Sequence, residues 1–266
     1  RRGHRRAYGA LRDPQGRQRR RHRPDPRGPR RARRRPLMAL VAEVPARALA
    51  VYAHPDDPEI SCGGTLARWA AAGCHVAVCI TTRGDKGTTD PAADPGALAA
   101  RRRAEAAAAA EVLGVAEVHH LDHPDGDLEN SAEVRGELVR LVRHLRPEVV
   151  CCPDPTAVFF GGTYFNHRDH RVTGWATLDA VAPAAANPHY FPEHRAEGLD
   201  VHQVRQVYLS GTLEPDTWID IGATIERKID ALFCHASQLT ETGEWFRSFL
   251  RASADDAGRA AGVRFA

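Results

Sequence analysis

Short apolar runs alternate with longer helical stretches along most of the chain from residue 46 onward. Four apolar runs predict strands: ARALAVYAH (46–54), HVAVCITT (75–82), EVHHLD (117–122) and EVVCCPD (148–154). Three stretches between them have the spacing of helices: GGTLARWAAAG (63–73), RRRAEAAAAAEVLG (101–114) and SAEVRGELVRLVRHLR (131–146). Repeated strand–helix units predict an α/β fold with a Rossmann-like, mostly parallel sheet and helices on both faces.

The pattern changes after residue 185, where a Pro-rich loop precedes two more apolar runs and two helical stretches. Strands are predicted at 204–210 and 216–221, and helices near 222–235 and 242–254. We interpret this part as a C-terminal extension of the same sheet domain, so that residues 38–266 form one domain.

The first 36 residues differ from the rest in composition, with 16 of the 37 Lys and Arg residues and 2 of the 34 Asp and Glu residues. They contain almost no aliphatic side chains, so residues 1–37 are predicted to be a disordered Arg-rich arm. The favoured interpretation is that this stretch is upstream sequence and that translation starts at Met38, the only methionine. The alternative is a tail that binds nucleic acid. The remaining chain has 21 basic and 32 acidic side chains, a net charge of −11, which argues against nucleic acid as its partner.

Membrane and disulfide classes are also disfavoured. No run of about 18 apolar residues is present, and the basic stretch is not followed by the apolar region of a signal peptide. The six cysteines form no CxxC pair and lie mostly in apolar runs, which argues against a disulfide framework and a Cys-ligated zinc. This usage predicts a reducing, cytoplasmic environment.

Polar clusters follow each of the four predicted strands. They are AHPDDPE (53–59), TTRGDKG (81–87), LDHPDGD (121–127) and GGTYFNHRDH (161–170). Because the carboxyl ends of parallel strands meet at one edge of a sheet, we expect these clusters to converge on a single site.

The first and last clusters contain the residue types of a metal site. His54 and Asp57 are two residues apart, so a turn at Pro55 can bring both onto one ion, and His170 supplies a third ligand at the start of the predicted helix DHRVTGWATLDAV. Two histidines and one carboxylate leave zinc a position for water, as hydrolytic sites do, and iron(II) can also occupy such a site. The alternative interpretation of HPDD is an Asp cap of the following helix.

These motifs carry a resemblance to a known family. AHPDDPEISCGGTLARWAAAG, with FNHRDH at 165–170, resembles the PIG-L/LmbE-like family of zinc-dependent N-acetyl-sugar deacetylases, from about residue 46 to KIDALFCHASQL (228–239). The resemblance implies a metal-dependent hydrolase that removes the N-acetyl or another N-acyl group from an amino-sugar conjugate. An amidase acting on a related glycoconjugate, of the mycothiol-conjugate type, is the alternative.

The resemblance also implies roles for residues beside the metal ligands. Asp56 is expected to be the general base, and His167 the general acid or the partner of the oxyanion, with Asp169 orienting its imidazole. Either Asp56 or His167 then delivers the proton to the leaving amine. Some relatives have a tyrosine that helps to hold the oxyanion two residues before the first histidine of HxDH; here that position is Phe165, with Tyr164 beside it. Either Tyr164 fills this role or the role is absent, and both residues are candidates for binding the substrate.

Further side chains are candidates for binding the substrate. Asp125 can bind a sugar hydroxyl, although a Pro-Asp-Gly turn explains it equally, and Arg83 is either a substrate contact or a soluble loop residue. His235 is either close to the site or a histidine at a helix C-terminus. The remaining histidines, including His194, are expected to be solvated.

Two other functional classes stay open. A nucleotide-binding oxidoreductase would share the fold pattern, but the loop after the first strand lacks GxGxxG and is acidic. A non-catalytic binding protein with a basic arm would bind no zinc. A small-molecule amino-sugar conjugate is therefore the expected partner, and a homo-oligomer stays open.

Overall fold

The structure is a computed structural model that describes residues 39–160, 162, 164–239 and 243–266. The Arg-rich arm lies outside the described residues, so its predicted disorder, its interpretation as read-through and the domain boundary at residue 38 stay predictions.

A five-stranded parallel sheet forms the centre of the fold, in the strand order β4-β3-β2-β5-β8. Its strands are β2 (Arg47–Tyr52), β3 (His75–Thr82), β4 (Glu117–His123), β5 (Val149–Pro153) and β8 (Gln206–Ser210). Two short pairs accompany it: β1 (Ala39–Leu40) with β9 (Thr217–Trp218), and the hairpin β6 (Phe159–Phe160) with β7 (Tyr164–Phe165). The predicted α/β class and parallel sheet are confirmed.

In the part of the chain that the structure describes, six α-helices connect or flank the strands. They are α1 (Asp57–Ala71), α2 (Pro95–Leu113), α3 (Ala132–Leu145), α4 (Arg168–Asp179), α5 (Ile225–Leu232) and α6 (Gly243–Ala261). A π-helical turn (Ala180–Ala185) and a 3₁₀ helix (Pro192–Glu197) follow α4. Among the residues described, no helix combines the length and the apolar character needed to cross a membrane.

Local sequence signals explain where several helices begin and end. The Ser131 hydroxyl accepts a hydrogen bond from the Val134 amide at the start of α3, and Gly114 ends α2 in the left-handed conformation with φ 80°. Helix α1 begins at Asp57 rather than at residue 63, and α2 at Pro95 rather than at residue 101, because proline is tolerated in the first turn of a helix. The strand predicted at 216–221 is shorter, spanning Thr217–Trp218.

The sheet separates two hydrophobic cores. Alternate residues of β2 face opposite sides, so Leu49 and Val51 pack with α3 and α4, whereas Ala48, Ala50 and Tyr52 pack with α1 and α2. The fully buried strands β2, β3 and β5 read as nearly continuous apolar runs for this reason. Helices therefore lie on both faces, as predicted.

A buried arginine organises the loop after α4. Arg143, on α3, is 2% exposed, and its guanidinium donates to the main-chain carbonyls of Ala184, Asn187, Tyr190 and Phe191. His194 was expected in solvent but is buried beside Arg143, with its ring stacked on Phe191 at 5.5 Å between centroids. The 3₁₀ helix that carries His194 folds back onto α3, and no local sequence pattern predicts this contact.

Candidate active site

The carboxyl edge of the sheet brings the polar clusters together. His54 follows β2, Asp57 begins α1, Asp125 follows β4, and His170 lies in the first turn of α4. The TTRGDKG loop joins them, because the Asp85 carboxylate accepts a hydrogen bond from the Asp125 amide at 3.0 Å.

Three predicted metal ligands face one another at this edge. His54 Nδ1 lies 3.3 Å from Asp57 Oδ2 and 3.1 Å from His170 Nε2, and His170 Nε2 lies 3.1 Å from Asp57 Oδ1. The Asp57 carboxylate is also held locally, because Oδ2 accepts a hydrogen bond from the His54 amide at 2.8 Å. The three side chains thus form a compact set of two nitrogen donors and one carboxylate.

This donor set fits a zinc ion. Ligand bonds of about 2.0–2.1 Å in a tetrahedral arrangement place ligand atoms about 3.3 Å apart, close to the separations observed here. Two wider groups share His54 and also lie within metal-binding distance: His54 with His167 and His170, and His54 with Asp125 and Asp169. We favour the set with Asp57 because each of its three pairs of side chains approaches to 3.1–3.3 Å, with one carboxylate oxygen facing each histidine.

The second nitrogen of His54 faces two more carboxylates. Its Nε2 lies 3.2 Å from Asp125 Oδ1 and 3.8 Å from Asp169 Oδ2. Asp169 is completely buried, and its Oδ2 accepts a hydrogen bond from the Gly126 amide at 2.6 Å. A carboxylate on the far nitrogen of an imidazole fixes which nitrogen is free to bind a metal.

Asp169 thus has a different partner from the one predicted. Its carboxylate points towards His54 and the Gly126 amide, whereas its own main-chain N–H donates to His167 Nδ1 at 3.2 Å. The reason is that His167 is the N-cap of α4, so its ring accepts a hydrogen bond from one of the free amides in the first turn of the helix. In this structure the Asp169 carboxylate makes no hydrogen bond to His167 among the described residues, and its orienting role stays a prediction.

The electrostatics of the cluster favour positive charge. Burial disfavours the charged form of His54, yet the carboxylates of Asp57, Asp125 and Asp169 outweigh it and hold the pKa of His54 well above its usual value. Burial likewise opposes ionisation of Asp57, but the neighbouring His170 and His54 hold the pKa of this carboxyl well below its usual range. A site with this field attracts a cation.

His167 has the opposite tendency. Burial, and then the charge of His54, lowers the pKa of His167, which favours its neutral form. Because Nδ1 already accepts the Asp169 amide, the neutral ring has its proton on Nε2. His167 therefore offers one N–H donor beside the metal ligands, with its ring centroid 4.8 Å from that of His54.

Asp56 occupies the N-cap position of α1 but does not cap it. Its side chain makes no hydrogen bond to the helix amides; instead Oδ1 accepts from Arg102 Nη2 at 2.9 Å. Arg102 is 3% exposed and also donates to the Gly84 carbonyl at 3.0 Å. The capping alternative therefore does not describe Asp56, whose carboxylate is held by Arg102 of α2.

Arg102 was missed in the sequence, although a signal was present. It lies in a run of three arginines that looks solvated, but it shares a helical face with Ala106, Ala109 and Leu113, all of which are buried. A charged residue on the buried face of a helix usually has a partner.

The other substrate candidates lie in different environments. Asp125 is buried within the cluster beside His54, whereas Arg83 is exposed and paired with Asp85 at 3.3 Å. Tyr164 and Phe165 are 53% and 56% exposed on the hairpin that precedes His167. Burial, and then the charge of Asp57, raise the pKa of Tyr164 above its usual value.

His235 does not reach the site. It is 0% exposed, follows α5, and its Nε2 lies 3.3 Å from Glu59 Oε2. In this structure His235 is closed off from solvent, so it offers no surface to a substrate, and its binding role stays a prediction. The segment instead packs behind α1, where the Glu105 carboxylate also accepts a hydrogen bond from the Ser237 amide at 2.8 Å.

The chain is similar to deacetylases in sequence. The profile of the GlcNAc-PI de-N-acetylase (PIG-L) family matches residues 49–181, which contain the whole metal-ligand set. Diacetylchitobiose deacetylase of Thermococcus kodakarensis is 35% identical over 221 residues, which cover 83% of this chain and 80% of that protein.

Solved structures give the same result for the fold. N,N'-diacetylchitobiose deacetylase of Pyrococcus horikoshii, in complex with an inhibitor, matches with a TM-score of 0.76 and 33% identity, covering 83% of this chain and 81% of that one. A 4-carboxy-2-hydroxymuconate hydratase of Pseudomonas putida matches with a TM-score of 0.67 and 25% identity, covering 81% and 89%. The family match, the identity to a full-length deacetylase and the shared fold together show that this chain belongs to the PIG-L (GlcNAc-PI de-N-acetylase) family.

Proposed function

We propose that this protein is a metal-dependent N-deacetylase that hydrolyses the acetamide of an N-acetylated amino sugar to free amine and acetate. The observation that carries the proposal is the mutual approach of His54, Asp57 and His170 beside an acidic and an imidazole side chain. Membership of a family whose similar relatives are named deacetylases supports the same reaction.

His54, Asp57 and His170 would hold the metal, with zinc as the first candidate and iron(II) as the second. Bound there, the metal would polarise the amide carbonyl and lower the pKa of a coordinated water towards about 7. Asp125 and Asp169 support this set from behind, because both face the outer nitrogen of His54.

Asp56 is proposed to accept the proton of the attacking water. Its carboxylate is not used by the metal set, and the buried Arg102 guanidinium holds it in one orientation. Positioning of a base within hydrogen-bond reach of water is the main geometric requirement for general base catalysis. Arg102 acts here through Asp56 and is therefore a positioning residue.

His167 is proposed to stabilise the oxyanion that forms as water adds to the amide carbon. The neutral ring presents Nε2–H, and a correctly placed donor of this kind is worth on the order of a hundredfold or more in rate. The C–N bond then breaks as the amine receives a proton from Asp56 or His167. The hairpin residues Tyr164 and Phe165 and the buried Asp125 are candidates for holding the sugar.

The test is hydrolysis of N-acetylated sugars by zinc-loaded protein. N,N'-diacetylchitobiose, N-acetylglucosaminyl conjugates and matched conjugates with longer N-acyl groups are incubated with the protein, and free primary amine and carboxylate are measured. Equal release of amine and acetate, abolished in Asp56→Asn, is the expected result. Preference for a longer acyl group would favour the glycoconjugate amidase, and no amine from any conjugate would overturn the proposal.

A further inference from the structure

A cavity lies between α1, strand β8 and the segment that follows β8. Its volume is about 650 Å³, and it is open to solvent. Its lining residues are separate from those of the candidate active site and include Tyr52, Cys62, Cys151 and Ser210. Two thiols and two hydroxyls thus line one cavity, and of the two thiols Cys62 is the partly exposed one.

Cys62 is the centre of this group. The Tyr52 hydroxyl donates to Cys62 Sγ at 3.3 Å and is itself 2.9 Å from the Ser210 hydroxyl, which can donate to it in turn. Cys151, on β5, lines the same cavity. Cys62 Sγ therefore accepts a hydrogen bond from a buried hydroxyl, and a donor of this kind stabilises a thiolate.

The charge distribution agrees with this geometry. The neighbouring Cys151 thiol, the Tyr52 hydroxyl and the Lys228 ammonium together outweigh burial and hold the pKa of the Cys62 thiol below its usual value. Lys228 belongs to α5 and reaches α1 through a hydrogen bond from Nζ to the Ile60 carbonyl at 2.6 Å. The cation is therefore fixed near the first turns of the helix that carries Cys62.

The other cysteines lack this environment. Cys74, Cys79, Cys151 and Cys152 are buried, and burial raises the pKa of Cys74 to about 11 and that of Cys152 to about 12. Cys234 is partly exposed like Cys62, but burial raises its pKa, and its thiol donates to the Asp230 carbonyl. Cys234 is thus a matched comparison: its access is similar, but its sulfur is a donor instead of an acceptor.

We propose that Cys62 is a reactive thiol that small electrophiles and hydroperoxides reach through this cavity, with Cys151 as its resolving partner. The Cys62 thiolate attacks one oxygen of hydrogen peroxide, and the O–O bond breaks. The products are a Cys62 sulfenic acid and a hydroxide ion, which takes a proton from solvent to become water. Cys151 loses its proton and attacks the Cys62 sulfur, which releases a second water and forms a disulfide. Two thiols are oxidised by two electrons, and one peroxide is reduced to two waters.

The first test measures alkylation of the native full-length chain. Protein is treated with limiting iodoacetamide at pH 7.5, and the alkylated fraction of each cysteine is followed by peptide mass spectrometry. We expect Cys62 to react on the order of ten times faster than Cys234, because the thiolate is the nucleophile. Tyr52→Phe should slow Cys62, whereas Tyr208→Phe should not, because the Tyr208 hydroxyl lines the same cavity but donates to Gln206. Equal rates for Cys62 and Cys234 would overturn the proposal.

The second test treats the same protein with stoichiometric hydrogen peroxide and maps peptides without reduction. The expected product is a Cys62–Cys151 disulfide. In Cys151→Ala we expect a Cys62 sulfenic acid instead, which dimedone traps. Cys62→Ala should give neither the disulfide nor the sulfenic acid. Oxidation first at another cysteine would overturn the reactive-thiol assignment. A lasting Cys62 sulfenic acid in the unmodified chain would overturn the role of Cys151.

Discussion

At the scale of single residues, neighbours in the sequence face different partners. Asp57 approaches His54 and His170, whereas Asp56 turns to Arg102. This division is the basis for assigning one aspartate to the metal and the other to the proton.

Asp56→Asn should keep its metal and lose about a hundredfold to ten-thousandfold in turnover, because the amide cannot accept a proton. Asp57→Asn should instead lose metal, since it removes a charged ligand from the set. Metal content and turnover are measured on the same preparations. If Asp56→Asn loses metal while Asp57→Asn keeps both its metal and its turnover, the roles of the two aspartates are reversed.

His167→Ala provides a second separation of chemistry from metal binding. His167 is the N-cap of α4, and its Nε2 is free of the metal set proposed here. We expect metal content near that of the unaltered protein, with turnover lowered on the order of a hundredfold. Loss of metal in this variant would instead support the wider group of His54, His167 and His170 as the ligands.

Lys228 is a buried cation whose titration should be visible in stability. Burial lowers the pKa of Lys228 to about 8. A lysine in the unfolded chain keeps its proton up to about pH 10.4. Between pH 8 and pH 10.4 the unfolded state therefore binds more protons than the folded state, and the free energy of unfolding rises with pH. The loss of stability caused by burying the charged lysine is complete below pH 8 and disappears above about pH 10.4.

Lys228→Met should therefore be more stable than the unaltered protein at pH 7, by up to about 3 kcal/mol, with the difference shrinking towards pH 10.4. Denaturant unfolding between pH 7 and 10.4 measures it. Lys86→Met is the control, because the chain's other lysine is exposed and paired with Asp127. A stability difference that does not change with pH would contradict the assignment.

At the scale of elements, α2 connects the proposed base to two loops. Arg102 binds Asp56 and the Gly84 carbonyl, and Glu105 accepts from the Ser237 amide. The glycines of TTRGDKG make room for this arrangement, since a Cβ added at Gly84 or Gly87 would collide with the Arg102 guanidinium. Gly84 also has φ +63°, whereas Gly87 is not in the left-handed region.

Gly87→Ala therefore tests the position of Arg102 without backbone strain. We expect the shifted guanidinium to release Asp56 and to lower kcat on the order of tenfold, with metal content unchanged, because small displacements of a base are costly. Gly96→Ala, at the exposed start of α2, should have no effect. The prediction fails if kcat of the Gly87 variant equals that of the Gly96 variant.

Helix α3 anchors the loop after α4 through Arg143. Replacement by Met would leave several main-chain carbonyls without their donor, and we expect a loss of about 3 kcal/mol or more in the free energy of unfolding. Arg140→Met is the matched control on the same helix: Arg140 is exposed and paired with Glu197, and such pairs contribute about 0–1 kcal/mol. Equal losses in chemical denaturation would show that the carbonyl contacts contribute little.

At the scale of the whole molecule, the metal set joins β2, α1 and α4, so binding should stabilise the entire domain. Ligand at a hundred times its dissociation constant stabilises the native state by about 2.7 kcal/mol, which corresponds to a rise in Tm of roughly 5–10 °C for a chain of this size. We expect this rise on adding zinc to chelator-treated protein, and none for His54→Ala. An unchanged Tm with zinc would contradict the proposed site.

The sequence by itself determined the elements and the edge at which they meet. The apolar runs that predict β2, β3, β4 and β5 are strands, because a strand buried on both faces must be apolar along its length. The position of His54, Asp57 and His170 at one edge also follows from sequence, since parallel strands place their following loops together.

Only the tertiary structure decided which side chains face one another within that edge. Asp169 faces His54 instead of His167, Arg102 holds Asp56, and His235 lies buried against Glu59. Each contact joins residues far apart in the chain and depends on rotamers and helix packing, which leave no periodic signal. Local patterns determine secondary structure and burial, whereas the pairing of polar groups depends on where separate helices meet.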